Sequence, residues 1–117
     1  MTWVKIKDYR RATLNAGTVF RFPAQVPFES IVDWMLMEDS ISDSGFSLFC
    51  VSGYHSGQVE LRLPAEAKTE TNRSIMTRWV CENWQQWIYT HAKVSDVWIR
   101  EGYSAPEVLP DKNALEN

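Results

Sequence analysis

Short apolar runs alternate with polar residues over the first two-thirds of the chain, and a three-and-four spacing replaces them after residue 72. That change of period predicts strands first and a helix afterwards. Arg10–Leu14 and Thr18–Phe22 flank Asn15-Ala16-Gly17, which reads as a hairpin whose Gly17 is free to adopt positive φ. Trp3–Lys7 precedes it as a short strand, and Pro23 and Pro27 bracket an extended connector. Residues 28–38 fit two patterns. Ile31, Trp34, Met35 and Glu38 would share a helical face, whereas Ile31, Asp33, Met35 and Met37 alternate with Val32, Trp34, Leu36 and Glu38 as in a buried strand. The strand reading, over 31–38 after a single helical turn, fits better.

Asp39–Gly45 reads as an exposed polar loop, Phe46–Ser52 as a strand, Gly53–Gly57 as a turn and Gln58–Leu63 as an alternating strand. In the last of these Val59, Leu61 and Leu63 are expected inside, with Glu60 and Arg62 outside. Pro64 ends the pairing. A helix over about 73–91 is predicted by Met76, Trp79, Val80, Asn83, Trp84, Trp87 and His91, with Asn72 and Ser74 as alternative N-caps. Val94–Arg100 reads as a last strand that Gly102 breaks. The expected fold is therefore α+β: an antiparallel or mixed sheet of about five to six strands with one long helix packed on one face. Residues 1–104 form the domain, and 105–117 are a loosely held tail.

Composition sharpens this picture in two places. Six Trp, five Phe and four Tyr make up 13% of the 117 residues, so most must be buried and a few are free to act as contact anchors. Charge is uneven although the net value is only −3. Residues 26–71 hold Glu29, Asp33, Glu38, Asp39, Asp43, Glu60, Glu66 and Glu70 against Arg62 and Lys68, a local −6, while residues 1–25 are locally +4. An acidic surface repels phosphate backbones and attracts basic partners, although a solvated face that aids solubility has the same composition. The N-terminus lacks a signal-peptide pattern and no apolar run could span a membrane, which points to the cytoplasm. Cys50 and Cys81, the only cysteines, are too few for a disulfide scaffold or a structural zinc site and read as buried thiols.

Catalysis requires polar groups that converge, and the sequence offers few. His55 falls in a turn and His91 at a helix end, neither beside a nucleophile motif. There is no phosphate-cradling glycine loop and no Cys/His metal spacing, so no catalytic, cofactor or metal residue is assigned. Lys5, Lys7, Arg10, Arg11 and Arg21 beside Tyr9, Phe20 and Phe22 are too few cations for direct nucleic-acid binding. The expected activity is binding of another macromolecule.

Several phrases in order carry a family resemblance: Trp3-Val4-Lys5 through Asp8–Ala12, Gly17–Pro23, Val26–Asp33, Ser44–Leu48, Ser52-Gly53-Tyr54, Leu63-Pro64, Glu82–Trp87 and Arg100–Tyr103. Together they resemble bacterial immunity proteins encoded beside polymorphic or contact-dependent growth-inhibition toxins. The resemblance implies a cytoplasmic antidote that binds a neighbouring toxin domain and protects the producing cell and its siblings. Many such toxins are basic nucleases, which an acidic inhibitor suits. A small adaptor module would share the composition. Charge and loop position alone select Glu38, Asp39, Asp43, Glu66 and Glu70 for the interface, with Tyr54 and His55 as anchors.

Overall fold

The computed structural model describes residues 2–111. Among them the strands are β1 (Val4–Lys5), β2 (Thr13–Leu14), β3 (Val19–Pro23), β4 (Ile31–Glu38), β5 (Phe46–Cys50), β6 (Val59–Arg62), β7 (Ile75–Met76) and β8 (Trp98–Arg100). Helix α1 (Thr77–Asn83) continues as a π-helical turn over Trp84–Ile88. Six strands make an antiparallel sheet in the order β1-β8-β3-β4-β5-β6, and β2 pairs with β7 as a separate two-stranded ribbon. The fold is α+β, as the change of period predicts.

Residues 31–38 are a strand, the longest in the sheet, and the chain before it makes a turn in which the Phe28 N–H donates to the Gln25 carbonyl at 2.9 Å. Val32, Trp34 and Leu36 point into the core together with Phe20 and Phe22 of β3, Leu48 and Cys50 of β5 and Ile99 of β8. Each fully buried side chain of this size contributes about 1.5–3 kcal/mol. The other layer is Val80, Trp84 and Ile88 of the helix, with Tyr89 and Phe28 closing one end. Phe22 is the hub, meeting Trp84 at 4.9 Å, Trp34 at 5.0 Å and Tyr89 at 5.0 Å between ring centroids.

Three expectations need correction. The turn at Asn15–Gly17 forms, with Gly17 at φ +97°, but its two arms do not pair with each other. Leu14 instead pairs with Ile75, because both are fully buried beneath the helix start, while β3 pairs with β4 and β8. The helix is shorter than 73–91: Ile75 and Met76 belong to β7, Asn72 sits at φ +61°, and neither Asn72 nor Ser74 caps the helix. The buried stripe is Thr77, Val80, Trp84 and Ile88; Trp79 flanks it, Trp87 is 49% exposed, and His91 lies beyond the helix in an exposed turn. Asn83 meets its polar requirement locally, Nδ2 donating to the Trp79 carbonyl at 2.8 Å. Finally, only Trp98–Arg100 of the predicted last strand pairs, since Val94–Asp96 form a 3-10 turn. Residues 103–111 are exposed, and the rest of the expected tail, 112–117, lies outside the described residues.

Candidate partner-binding surface

The acidic residues on the loop joining β4 to β5 stand at one end of the sheet. This loop is held tightly. The Asp39 N–H donates to the Gly45 carbonyl at 2.9 Å, the Ser42 hydroxyl to the Leu63 carbonyl at 2.7 Å, and Ser42 and Ser44 are buried. Asp39 accepts from the Ser47 hydroxyl at 2.7 Å and from the Ile41 N–H at 3.2 Å, and lies 3.3 Å from the Arg62 Nε. The Ser47 hydroxyl, and after it the Ile41 N–H and the Arg62 charge, hold its carboxyl below the usual range. Asp39 is thus a fold residue, whereas Glu38 and Asp43 are exposed. Glu66 lies in the 3-10 turn Ala65–Ala67, just after Leu63 leaves the same end of the sheet. Glu70 is exposed within a turn closed by Thr69 N–H and the Ser74 carbonyl.

Tyr54 and His55 belong elsewhere. They sit in the 3-10 turn between β5 and β6, at the end of that hairpin opposite the acidic loop. Five residues of β5 set the two ends roughly 17 Å apart. Tyr54 is 86% exposed, and its N–H donates to Glu29 Oε2 at 3.2 Å. His55 is half-buried against the Phe28 ring at 4.8 Å, with Nδ1 3.5 Å from Glu60 Oε2. That separation is too long for a hydrogen bond but short enough for attraction once the imidazole is protonated. Glu60, expected outside, is instead partly buried, and desolvation raises its carboxyl pKa against the lowering effect of His55. A β-bulge between Leu48 and Phe49 shifts the β6 register and draws it in.

The sequence reading misses a third surface. Residues directly opposite on neighbouring antiparallel strands share a face, so Arg21, Asp33, Trp98, Met35, Phe49 and Arg100 all lie on the side of the sheet away from the helix. Arg21 donates from Nε and one terminal nitrogen to the two Asp33 oxygens, both at 2.8 Å, and its guanidinium lies 4.1 Å from the Trp3 ring centroid. Ile31 is 61%, Trp98 40%, Met37 39% and Val51 39% exposed on the same side. The available signal was the apolar character of the second face of β4, where Ile31, Met35 and Met37 stand beside Asp33. In the described chain the helix packs only the other face.

Other chemistry is sparse. Among the described residues no group of three or more His, Cys, Asp or Glu side chains could hold a metal ion, and no helix is long and apolar enough to cross a membrane. Cys50 is buried and Cys81 half-buried, both free, and desolvation raises each thiol pKa.

An exposed sheet face combining tryptophan, methionine and arginine has the composition of a protein-binding surface. The comparison with known families gives that class a particular form. The family model described as Immunity protein 45 matches residues 6–99, and the chain belongs to that family, an immunity-protein family of toxin systems. No curated protein and no solved structure matches the chain.

Proposed function

We propose that this protein neutralises a cognate toxin domain by binding it in the cytoplasm of the producing cell and its siblings, within a polymorphic or contact-dependent growth-inhibition system. Family membership carries this reading. Immunity proteins generally act by contact rather than catalysis, so protection depends on how much of the toxin is occupied.

The toxin is a basic domain of the nuclease class. What supports this is the exposed acidic end of the sheet, where Glu38, Asp43 and Glu66 stand around an internally bonded Asp39. A rigid acidic rim complements a surface built to hold phosphates and speeds encounter. Glu70 adds to the same field from its turn. Tyr54 and His55 are too far along the hairpin to share one compact patch with the loop, and any contact they make belongs to the edge of a larger footprint.

The test is co-expression with the toxin domain encoded beside the gene, followed by a growth assay and pull-down. Growth is restored and a complex recovered on this account; continued killing with no complex overturns it. Exchanging Glu38→Lys together with Asp43→Lys, which spares Asp39, is expected to slow association roughly tenfold at low salt and less at high salt. Equal association rates at all salt concentrations would remove the acidic rim from the contact.

A further inference from the structure

We infer that the centre of the toxin interface is the open face of the six-stranded sheet, where two hollows of mixed apolar and charged lining and the Arg100 guanidinium receive an apolar projection of the toxin that carries a carboxylate. This rests on the toxin-binding reading above and adds where, and by what chemistry, the toxin is held.

The face is built for contact in three respects. Its first hollow, about 410 Å³, is lined by Trp3, Val19, Met35, Val51 and Tyr103 together with Arg100 and the pair of Arg21 and Asp33, whose carboxylate is already taken up by Arg21. Its second, about 300 Å³, is lined by Ile31, Pro23 and Trp98 together with Lys5 and Asp96. Arg21 borders both, held in place by Asp33 and by Trp3, so the two hollows are separated by a fixed ridge. Such preorganised hollows receive side chains at little cost in conformational entropy.

Arg100 supplies the polarity of the occupant. Among the described residues it has no carboxylate partner, and its Nε is buried without an acceptor. The nearest comparable cation, Arg21, has its carboxylate in Asp33. A buried, unfilled guanidinium donor is satisfied when a partner brings a carboxylate or carbonyl oxygen.

Continuity with the acidic rim selects the toxin as the occupant. Met37 shares this face with Ser47 and Arg62, its partners across β5, and Arg62 touches Asp39 at the base of the acidic loop. The open face and the acidic rim therefore form one surface with an apolar centre and a charged border, the arrangement of an affinity-bearing interface.

The test is calorimetric titration of the purified toxin domain into the wild-type protein and into Arg100→Met, Trp98→Ser and Ile31→Asp variants, each checked for folding by its thermal melt. Gln86→Glu, on the exposed side of the helix across the molecule, is the control. Each face variant is expected to raise Kd at least tenfold, with the control within twofold. Ile31, being 61% exposed, keeps the test valid where Trp98→Ser loses stability. Wild-type affinity in the folded face variants overturns the placement while leaving toxin binding intact. Failure of the wild type to bind overturns the functional reading and this inference with it. A sedimentation result in which the free protein is a dimer split by Ile31→Asp, with toxin affinity unchanged, assigns the face to self-association and overturns it too.

Discussion

Asp39 and Glu60 are two carboxylates that the fold treats oppositely, and their pH dependences should have opposite signs. The Asp39 pKa is depressed by the Ser47 hydroxyl and by Arg62, so the unfolded chain binds a proton more readily than the folded one. Its stabilisation is present above the ordinary carboxylate range and lost as pH falls through the folded pKa. Asp39→Asn should therefore lower the urea midpoint at pH 7, and the gap to wild type should close only as pH falls below the ordinary carboxylate range. Glu60 is raised by desolvation, so its ionisation opposes folding as pH rises. Glu60→Gln should raise the melting temperature at pH 8, with the gain vanishing at acid pH; a loss at pH 8 would show that the contact with His55 outweighs burial. Neither role is legible locally. The donors to Asp39 come from β5 and β6, and Glu60 is drawn inward by a bulge, so both depend on strand register.

Elements were readable in proportion to their length and periodicity. β4 and β6 follow from alternation and β5 from its β-branched and aromatic content, and each has four or more residues in the strand. β2 and β7 have two residues each and carry no period, which is why Arg10–Leu14 looked like the first arm of a hairpin. The same blind spot lengthened the helix: Met76 fits the helical stripe but pairs with Thr13, and the π-helical turn at Trp84–Ile88 ends the stripe before His91. Within the helix the weight falls on Trp84, fully buried with its indole N–H unpartnered. Trp84→Ala should cost about 3–5 kcal/mol in chemical denaturation. Trp84→Phe should cost clearly less, because it keeps the ring contact with Phe22 and removes the unsatisfied donor.

For the whole molecule, one packed face and one open face divide the labour. The helix side holds the core, and the open side with its acidic border is the surface proposed for the partner. Charge along the sequence singles out Glu38 and Asp43 for the proposed border but not the residues of the proposed centre, because Trp3, Trp98 and Arg100 come from the two chain ends and meet only when β1 and β8 join β3. Aromatic content alone could not separate Trp84, a core residue, from Trp98, a surface one. The central claim is that protection comes from occupancy. It is tested most directly by titrating this protein into a fixed amount of active toxin, well above the Kd, and following residual toxin activity. The account predicts a linear fall to zero at a fixed molar ratio, with activity recovered when the complex is separated. Complete inactivation by a small fraction of that amount, persisting after separation, would contradict it.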